Sequence, residues 1–240
     1  MTLRLVSLVI DANEPERVAR FWAGALGWEI RPELDGGLEL VPTDGTPFTI
    51  LTEAVPEPKV GQNRSHVDLS TSSLEDQRAY VQQLLDLGAR HIDIGQSAEE
   101  SHVVLADPEG NELCVLEPGN RFVDYGGRLG SITCIGRRAV GAFWSEALGL
   151  PLVWDQQDET AIRVAGDAGT FITWGPVDAT KTGKNRLHLD VAPPPGGDQQ
   201  VEVDRLIALG ATRVDIGQAG VSWVVLADPE GNELCVLTPR

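Results

Sequence analysis

Apolar residues recur along this 240-residue chain with two different periods. Val18, Phe21, Trp22 and Ala25 fall at i, i+3, i+4 and i+7, a stripe that a helix lays against a sheet. From Arg64 the pattern alternates instead: Arg64, His66 and Asp68 share one face of a strand, and Ser65, Val67 and Leu69 the other. Arg186, His188 and Asp190 oppose Leu187, Leu189 and Val191 in the same way. The apolar face must receive the helices, which leaves the polar face free.

These patterns repeat. Residues 103–116 and 224–237 both read VVLADPEGNELCVL. Each predicts a hairpin: Asp107 or Asp228 accepts backbone N–H bonds, Pro108 or Pro229 presets φ, and Gly110 or Gly231 closes the turn. Leu-Gly ends a helical pattern at 26–27, 87–88, 148–149 and 209–210, 61 residues apart each time. One unit is therefore used four times, and each copy reads β-α-β-β-β.

In the first unit a strand over 3–11 leads to a helix capped by Asn13, then to strands near 28–32, 38–41 and 48–52 separated by Asp35-Gly36-Gly37 and Thr43-Asp44-Gly45. The second has a strand over 65–70, a helix over 74–87 capped by Ser73 with Tyr80, Leu84 and Leu87 inward, and strands near 91–94, 102–106 and 112–116. A helix over 138–148 marks the third unit. The fourth has a strand over 187–191 and a helix over 198–209 with Val203, Leu206 and Ile207 inward. Residues 119–130, with Gly126-Gly127 inside, read as a linker.

Composition narrows the partners. A net charge of −17 and a pI near 4.5 repel nucleic acid and anionic membrane alike. The N-terminal stretch has neither the basic lead-in nor the cleavage site of a signal peptide, and no apolar run approaches the ~20 residues of a membrane span. Cys114 and Cys235 are equivalent positions and Cys134 is unmatched, which is no disulfide framework, so a reducing cytoplasm is the expected location.

Four β-α-β-β-β units, Phe-Trp ahead of Leu-Gly at 21–27 and 143–149, a strand opening Arg-x-His-x-Asp and a closing Asp-Pro-Glu-Gly-Asn hairpin together resemble the vicinal oxygen chelate superfamily. Within it, the chain is most similar to the glyoxalase-like, bleomycin-resistance-like group. The resemblance spans nearly the whole sequence and implies an α+β fold, four βαβββ modules pairing into two open eight-stranded barrels with the helices outside. It implies one domain over 1–120 (modules 1–61 and 62–120) and a second over 128–240 (modules 128–183 and 184–240), fused in the manner of the homodimer many relatives form. Such a chain supplies its own partner, so a monomer of two pseudo-dimeric domains is expected.

Metal-using members of that superfamily hold a divalent ion with four side chains, one from the first and one from the last strand of each module. Here His66 and His188 match the first-strand histidine, while Cys114 and Cys235 stand where a glutamate is usual. The remaining positions fall at Ser7 and about Leu129, and near Ile50 and Thr173, none a usual ligand. One His and one Cys fall short of the three ligands of a catalytic Zn²⁺, although Asp68, Glu112 or Glu53 could be recruited. No cofactor is expected, with a divalent metal as the lesser alternative.

The candidate ligand-binding residues are His66, Asp68, Glu112, Cys114, His188, Asp190, Trp223, Glu233 and Cys235. Trp223 replaces His102 of the earlier copy, so the two clefts need not bind the same thing. His66 beside Cys114 admits a nucleophile reading, set against the plainer one in which both histidines are hydrogen-bonded pocket walls. The expected function is uptake of a small, partly apolar organic molecule in one or both barrels. The alternatives are a lyase, isomerase or dioxygenase of the glyoxalase type using His66 or His188 as acid or base, and an interaction scaffold.

Overall fold

The computed structural model describes residues 2–33, 37–97, 99–122, 127–164, 169–177 and 181–240; Asp35 and Gly36 of the first expected turn, and Gly126 of the expected linker, lie outside the described residues. Module one holds β1 (Arg4–Ala12), α1 (Pro15–Leu26), β2 (Glu29–Pro32), β3 (Leu38–Val41) and β4 (Thr49–Ala54). Module two holds β5 (Ser65–Leu69), α2 (Leu74–Asp86), β6 (Arg90–His91), β7 (Val103–Ala106) and β8 (Glu112–Val115). Module three holds β9 (Leu129–Ile135), α3 (Arg138–Leu148), β10 (Leu152–Gln156), β11 (Glu159–Arg163) and β12 (Phe171–Gly175). Module four holds β13 (Leu187–Ala192), α4 (Gln199–Ala208), β14 (Thr212–Arg213), β15 (Val224–Ala227) and β16 (Glu233–Val236).

The strands form two open eight-stranded sheets, ordered β14-β15-β16-β13-β1-β4-β3-β2 and β10-β11-β12-β9-β5-β8-β7-β6. Modules four and one share the first sheet, and modules three and two the second. The expectation that module one shares a sheet with module two, and module three with module four, is corrected here. β1 finds its antiparallel partner in β13, with Val9 facing His188, and β5 finds its own in β9, with His66 facing Thr133. Modules one and two meet through their helices instead. The Tyr80 hydroxyl donates to the Ala25 carbonyl at 2.8 Å, and Gly24 leaves room for Leu87, which a Cβ there would approach to 2.8 Å.

One continuous apolar core lies on the helix side of both sheets and contains Ile10, Phe21, Trp22, Val67, Leu69, Trp144 and Val191. Both alternating strands thus bury the face that their sequence assigns to the helices. Two helix details differ from expectation. Leu87 and Ile207 are 36% and 38% exposed, because the buried stripes of α2 and α4 are narrower than their apolar patterns. Asn13 does not cap α1: its amide donates to the carbonyls of Val55 and Glu57 at 2.7 and 3.0 Å. Ser73 caps α2 as expected, accepting from the Asp76 N–H at 3.0 Å.

The hairpin of module two supplies what Asn13 does not. Asp107 holds the turn, accepting at 2.9 Å from the N–H groups of Glu109 and Asn111, and it reaches the Trp22 indole of α1 at 3.3 Å. The turn so fixed aims Glu109 at the start of α1, where its carboxylate accepts from the N–H groups of Asn13 and Glu14. A charged acceptor satisfies two orphan donors and meets the positive end of the helix, which a neutral amide cannot match. The same carboxylate pairs with Arg186 of module four at 2.6 Å, both side chains nearly buried. In the mirrored position, Glu230 accepts from the Arg137 N–H at 2.9 Å and Arg64 donates to Asn232 at 2.8 Å.

Glu109→Ala removes a helix cap and leaves the Arg186 guanidinium without its carboxylate. The expected loss of unfolding free energy is about 3 kcal/mol, measured by urea denaturation. A loss below ~1 kcal/mol would place the pair among exposed ion pairs of little worth.

Candidate functional site

The face of each sheet turned away from the helices is a concave wall. Strand register sets its rows. In the second sheet, Val104, Cys114, Asp68, Ser131 and Phe171 lie side by side on successive strands, and His66, Thr133 and Thr173 form the next row. In the first sheet the corresponding rows are Val225, Cys235, Asp190, Ser7 and Thr49, and then His188, Val9 and Leu51. In each cleft the ligating atoms of His, Asp and Cys fall within 4.8 Å of one another. The expected His66, Asp68 and Cys114 set and the His188, Asp190 and Cys235 set are therefore brought together.

The two sets differ in what faces them. Asp68 is held by three neighbours: Ser131 and Thr133 donate to its Oδ2 at 2.7 and 2.5 Å, and His66 lies 3.2 Å from its Oδ1. Thr133 in turn shares a 2.8 Å hydrogen bond with Thr173. Burial would raise Asp68, but the His66 charge and these hydrogen bonds outweigh it and hold the carboxyl below its usual range. Burial would likewise lower His66, yet Asp68 and the Cys114 sulfur overcome it and keep the imidazole well above 6.5. The result is an imidazolium beside a carboxylate. The Cys114 thiol is pushed up, chiefly by burial, and a ring that already carries its proton is no base for it.

Around His188 the same residue types settle otherwise. Val9 and Leu51 stand where the other cleft has Thr133 and Thr173, and Ser7 reaches Asp190 only at 3.5 Å. Burial, joined by the charge of Glu53, raises Asp190 to about 7 against hydrogen bonds from Cys235 and Ser7. Burial and then Lys184 lower His188 to about 3, so its ring is neutral. His188 Nδ1 and Asp190 Oδ1 are both buried without a hydrogen-bond partner.

The other expected residues divide. Trp223 lines a cavity of about 370 Å³ with Val225, Val214 and Asp215. Beside it, Ala192, Val225, Cys235 and Leu237 form an apolar floor. Glu112 and Glu233 lie on the expected face but are turned to the crossover loops: Lys59 and Lys181 bind them at 2.8 and 2.5 Å, and the N–H groups of Asn63 and Asn185 donate to them at 3.2 Å. Ser131, not Leu129, is the counterpart of Ser7, because Ser131 lies 12 residues before Phe143 whereas Ser7 lies 14 before Phe21.

Several site residues escape a sequence reading. Thr133 and Thr173 alternate correctly for a wall, but only the cross-module register brings them to Asp68. Phe122 packs edge-on against Phe171 and Trp154 with centroids 5.6 and 6.1 Å apart, filling the far half of the His66 cleft, while the guanidinium of Arg121 stands 4.3 Å over Trp154. No periodic signal in the chain announces it.

The four-ligand divalent centre implied by the resemblance does not fit either cleft. Each trio comes from one module. The facing strands present hydroxyls already bonded to Asp68 and to each other in one cleft, and the apolar Val9 and Leu51 in the other. Glu53 stands one row away beside Asp11, whose carboxylate is taken by Lys184.

A family model described as the glyoxalase-like domain matches residues 7–116 and again 131–237. Among solved structures, the chain is similar to glyoxalase I from Zea mays, with a TM-score of 0.69 at 13% identity over 99% of this chain and 92% of that one. It is also similar to a dioxygenase candidate from Bacillus subtilis, with a TM-score of 0.59 at 18% identity over 100% of this chain and 86% of that one. At these identities the likeness is one of fold. No curated protein sequence matches the chain.

Histidine resonances followed by NMR should separate the clefts: His66 protonated at pH 7 and titrating well above 6.5, His188 neutral until about 3. The unfolded chain binds a proton near 6.5, so His188 subtracts stability as pH falls from there toward 3, whereas the stability from His66 is full below 6.5 and fades as pH rises through its raised value. Thr133→Val gives Asp68 the surroundings that Val9 gives Asp190, and it should move the His66 titration down. An unmoved titration would remove Thr133 as its cause.

Proposed function

Because the chain belongs to the glyoxalase-like domain family, we propose that it is a small-molecule binding protein of the glyoxalase and bleomycin-resistance type. It holds a small, partly apolar organic molecule in the concave cleft beside His188. The cavity of about 370 Å³ next to Trp223 carries this reading. That volume suits a small ligand, and an apolar floor edged by a few polar groups is the usual make-up of such a site. Trp223 offers a flat face, and Val225, Cys235 and Leu237 continue the floor toward Asp190.

The His66 cleft supports a second reading, in which the charged imidazole acts as a general acid in a metal-independent lyase or isomerase reaction. Its proton, fixed by an Asp68 that Ser131 and Thr133 already hold, is the observation in favour. Each module finds its sheet partner within the same chain, which supports a monomer. No helix of the described residues is long and apolar enough to cross a membrane, in keeping with a cytoplasmic protein.

Thermal-shift screening of small apolar organics tests the binding reading. A ligand at 100 times its dissociation constant should stabilise the protein by about 2.7 kcal/mol, and Trp223→Ala should abolish the response. No response to any compound, or one indifferent to Trp223, overturns it. Turnover of a screened compound that is lost in His66→Gln and kept in Trp223→Ala would favour the second reading.

A further inference from the structure

We propose that the His188 cleft selects a ligand bearing a protonated amine on an apolar body, the ammonium group against Oδ1 of Asp190 and the body over Val225 and Trp223. The proposal rests on the binding function argued above and adds the charge of the ligand. Asp190 and His188 are 5% and 8% exposed, yet among the described residues Asp190 Oδ1, 3.5 Å from His188 Nε2, and His188 Nδ1 have no hydrogen-bond partner. Buried polar atoms are nearly always matched, so two unmatched ones in a cleft wall point to a group supplied from outside.

The charges around Asp190 decide which group. Glu53 of β4 acts on it from the facing module, and Asp11 of β1 lies beside Glu53. Of the cations, Lys184 is engaged by Asp11, and Arg240 acts from the chain's last residue. His188 carries no charge to offer an anion. Arg213 and Asp215 both line the cavity, one charge of each sign. A carboxylate ligand would meet Glu53 and the Asp190 carboxyl, whereas an ammonium group donates to the free oxygen and draws that carboxyl into its ionised form.

Strand spacing gives the length. Val225, Cys235 and Asp190 occupy one row on adjacent strands, so Val225 stands about 10 Å from Asp190. A ring at one end of a short aliphatic chain and an amine at the other match that span. The His66 cleft makes no such demand, because Asp68 is already bonded by Ser131 and Thr133.

Isothermal titration of the full-length protein with 4-phenylbutylamine, 4-phenylbutanol and 4-phenylbutanoate tests this. The amine should bind at least about tenfold more tightly than the alcohol or the acid. Asp190→Asn should erase that preference by bringing the amine down to the affinity of the alcohol, and Glu53→Gln should reduce the preference in part. Equal affinities for amine and alcohol, with both weakened by Trp223→Ala, would overturn the charge assignment while the binding function stood. Failure of all three probes, together with a silent thermal screen, would overturn both. Stoichiometric Zn²⁺ that displaces the amine and is lost in Asp190→Asn would give the unmatched atoms to a metal and overturn the proposal.

Discussion

Everything in the two clefts depends on the antiparallel seams that join β5 to β9 and β13 to β1. Each seam places the strand carrying His-x-Asp at the centre of its sheet, against a strand from the other half of the chain. Register there cannot drift, because a one-residue slip would turn Val67, Leu69 and Val191 out of a core in which they are fully buried. The Glu109–Arg186 pair bolts the hairpin of module two to the seam strand of module four and closes the start of α1 with the same carboxylate. Contacts between modules therefore join the halves of each wall, while pairings within a module bring the cysteines to Asp68 and Asp190.

That assembly explains how two copies of one motif come to hold different protonation states. His, Asp and Cys are the same in both clefts, and the local strands are nearly identical. What differs lies across the seam, where hydroxyls at Thr133 and Thr173 give way to the methyl-bearing surfaces of Val9 and Leu51. Asp68 gains two short hydrogen bonds that favour its charge, and its charge then holds the proton on His66. Asp190 has hydrogen bonds from Cys235 and, at 3.5 Å, Ser7, with His188 Nε2 3.5 Å away and the unfavourable charge of Glu53, so burial prevails and both Asp190 and His188 stay neutral for longer. The two hydroxyl donors add to the charge and hydrogen bond of His66, which lower Asp68 the most.

Much of what lies within a module was legible in the sequence, though not the cap of α1 or the exposure of Leu87 and Ile207. Alternation assigned the faces of β5 and β13, the Asp-Pro-Glu-Gly turn gave both hairpins, and Ser73 capped its helix, since each depends on residues a few positions apart. Trp223 was placed in the cleft on the same ground. The seam was not legible, because periodicity states which face a residue takes and is silent about which strand comes to lie beside it. Leu129 stood in for Ser131 for a related reason: the stretch from the strand serine to the Phe-Trp pair is two residues shorter in module three, which leaves the helical pattern of α3 intact while shifting the strand before it. Glu112 and Glu233 show the remaining limit, for they share a face with the cysteines but are answered by lysines fifty residues away in the crossover loops.

The contrast between the clefts is also one of completeness. Around Asp68 every acceptor has a donor, so that wall is preorganised and gains nothing from a ligand that could only compete with Ser131 and Thr133. Around Asp190 the burial is as deep, but among the described residues its Oδ1 has no hydrogen bond, a standing cost of about 1–3 kcal/mol for each unmatched atom. Against a total stability on the order of 5–15 kcal/mol, such a cost is bearable but not negligible. It is relieved only when something enters the cleft and supplies a donor, so that the free energy withheld in folding reappears as affinity. A duplicated fold with one finished wall and one unfinished wall thus has its binding selectivity written where its own hydrogen bonding stops.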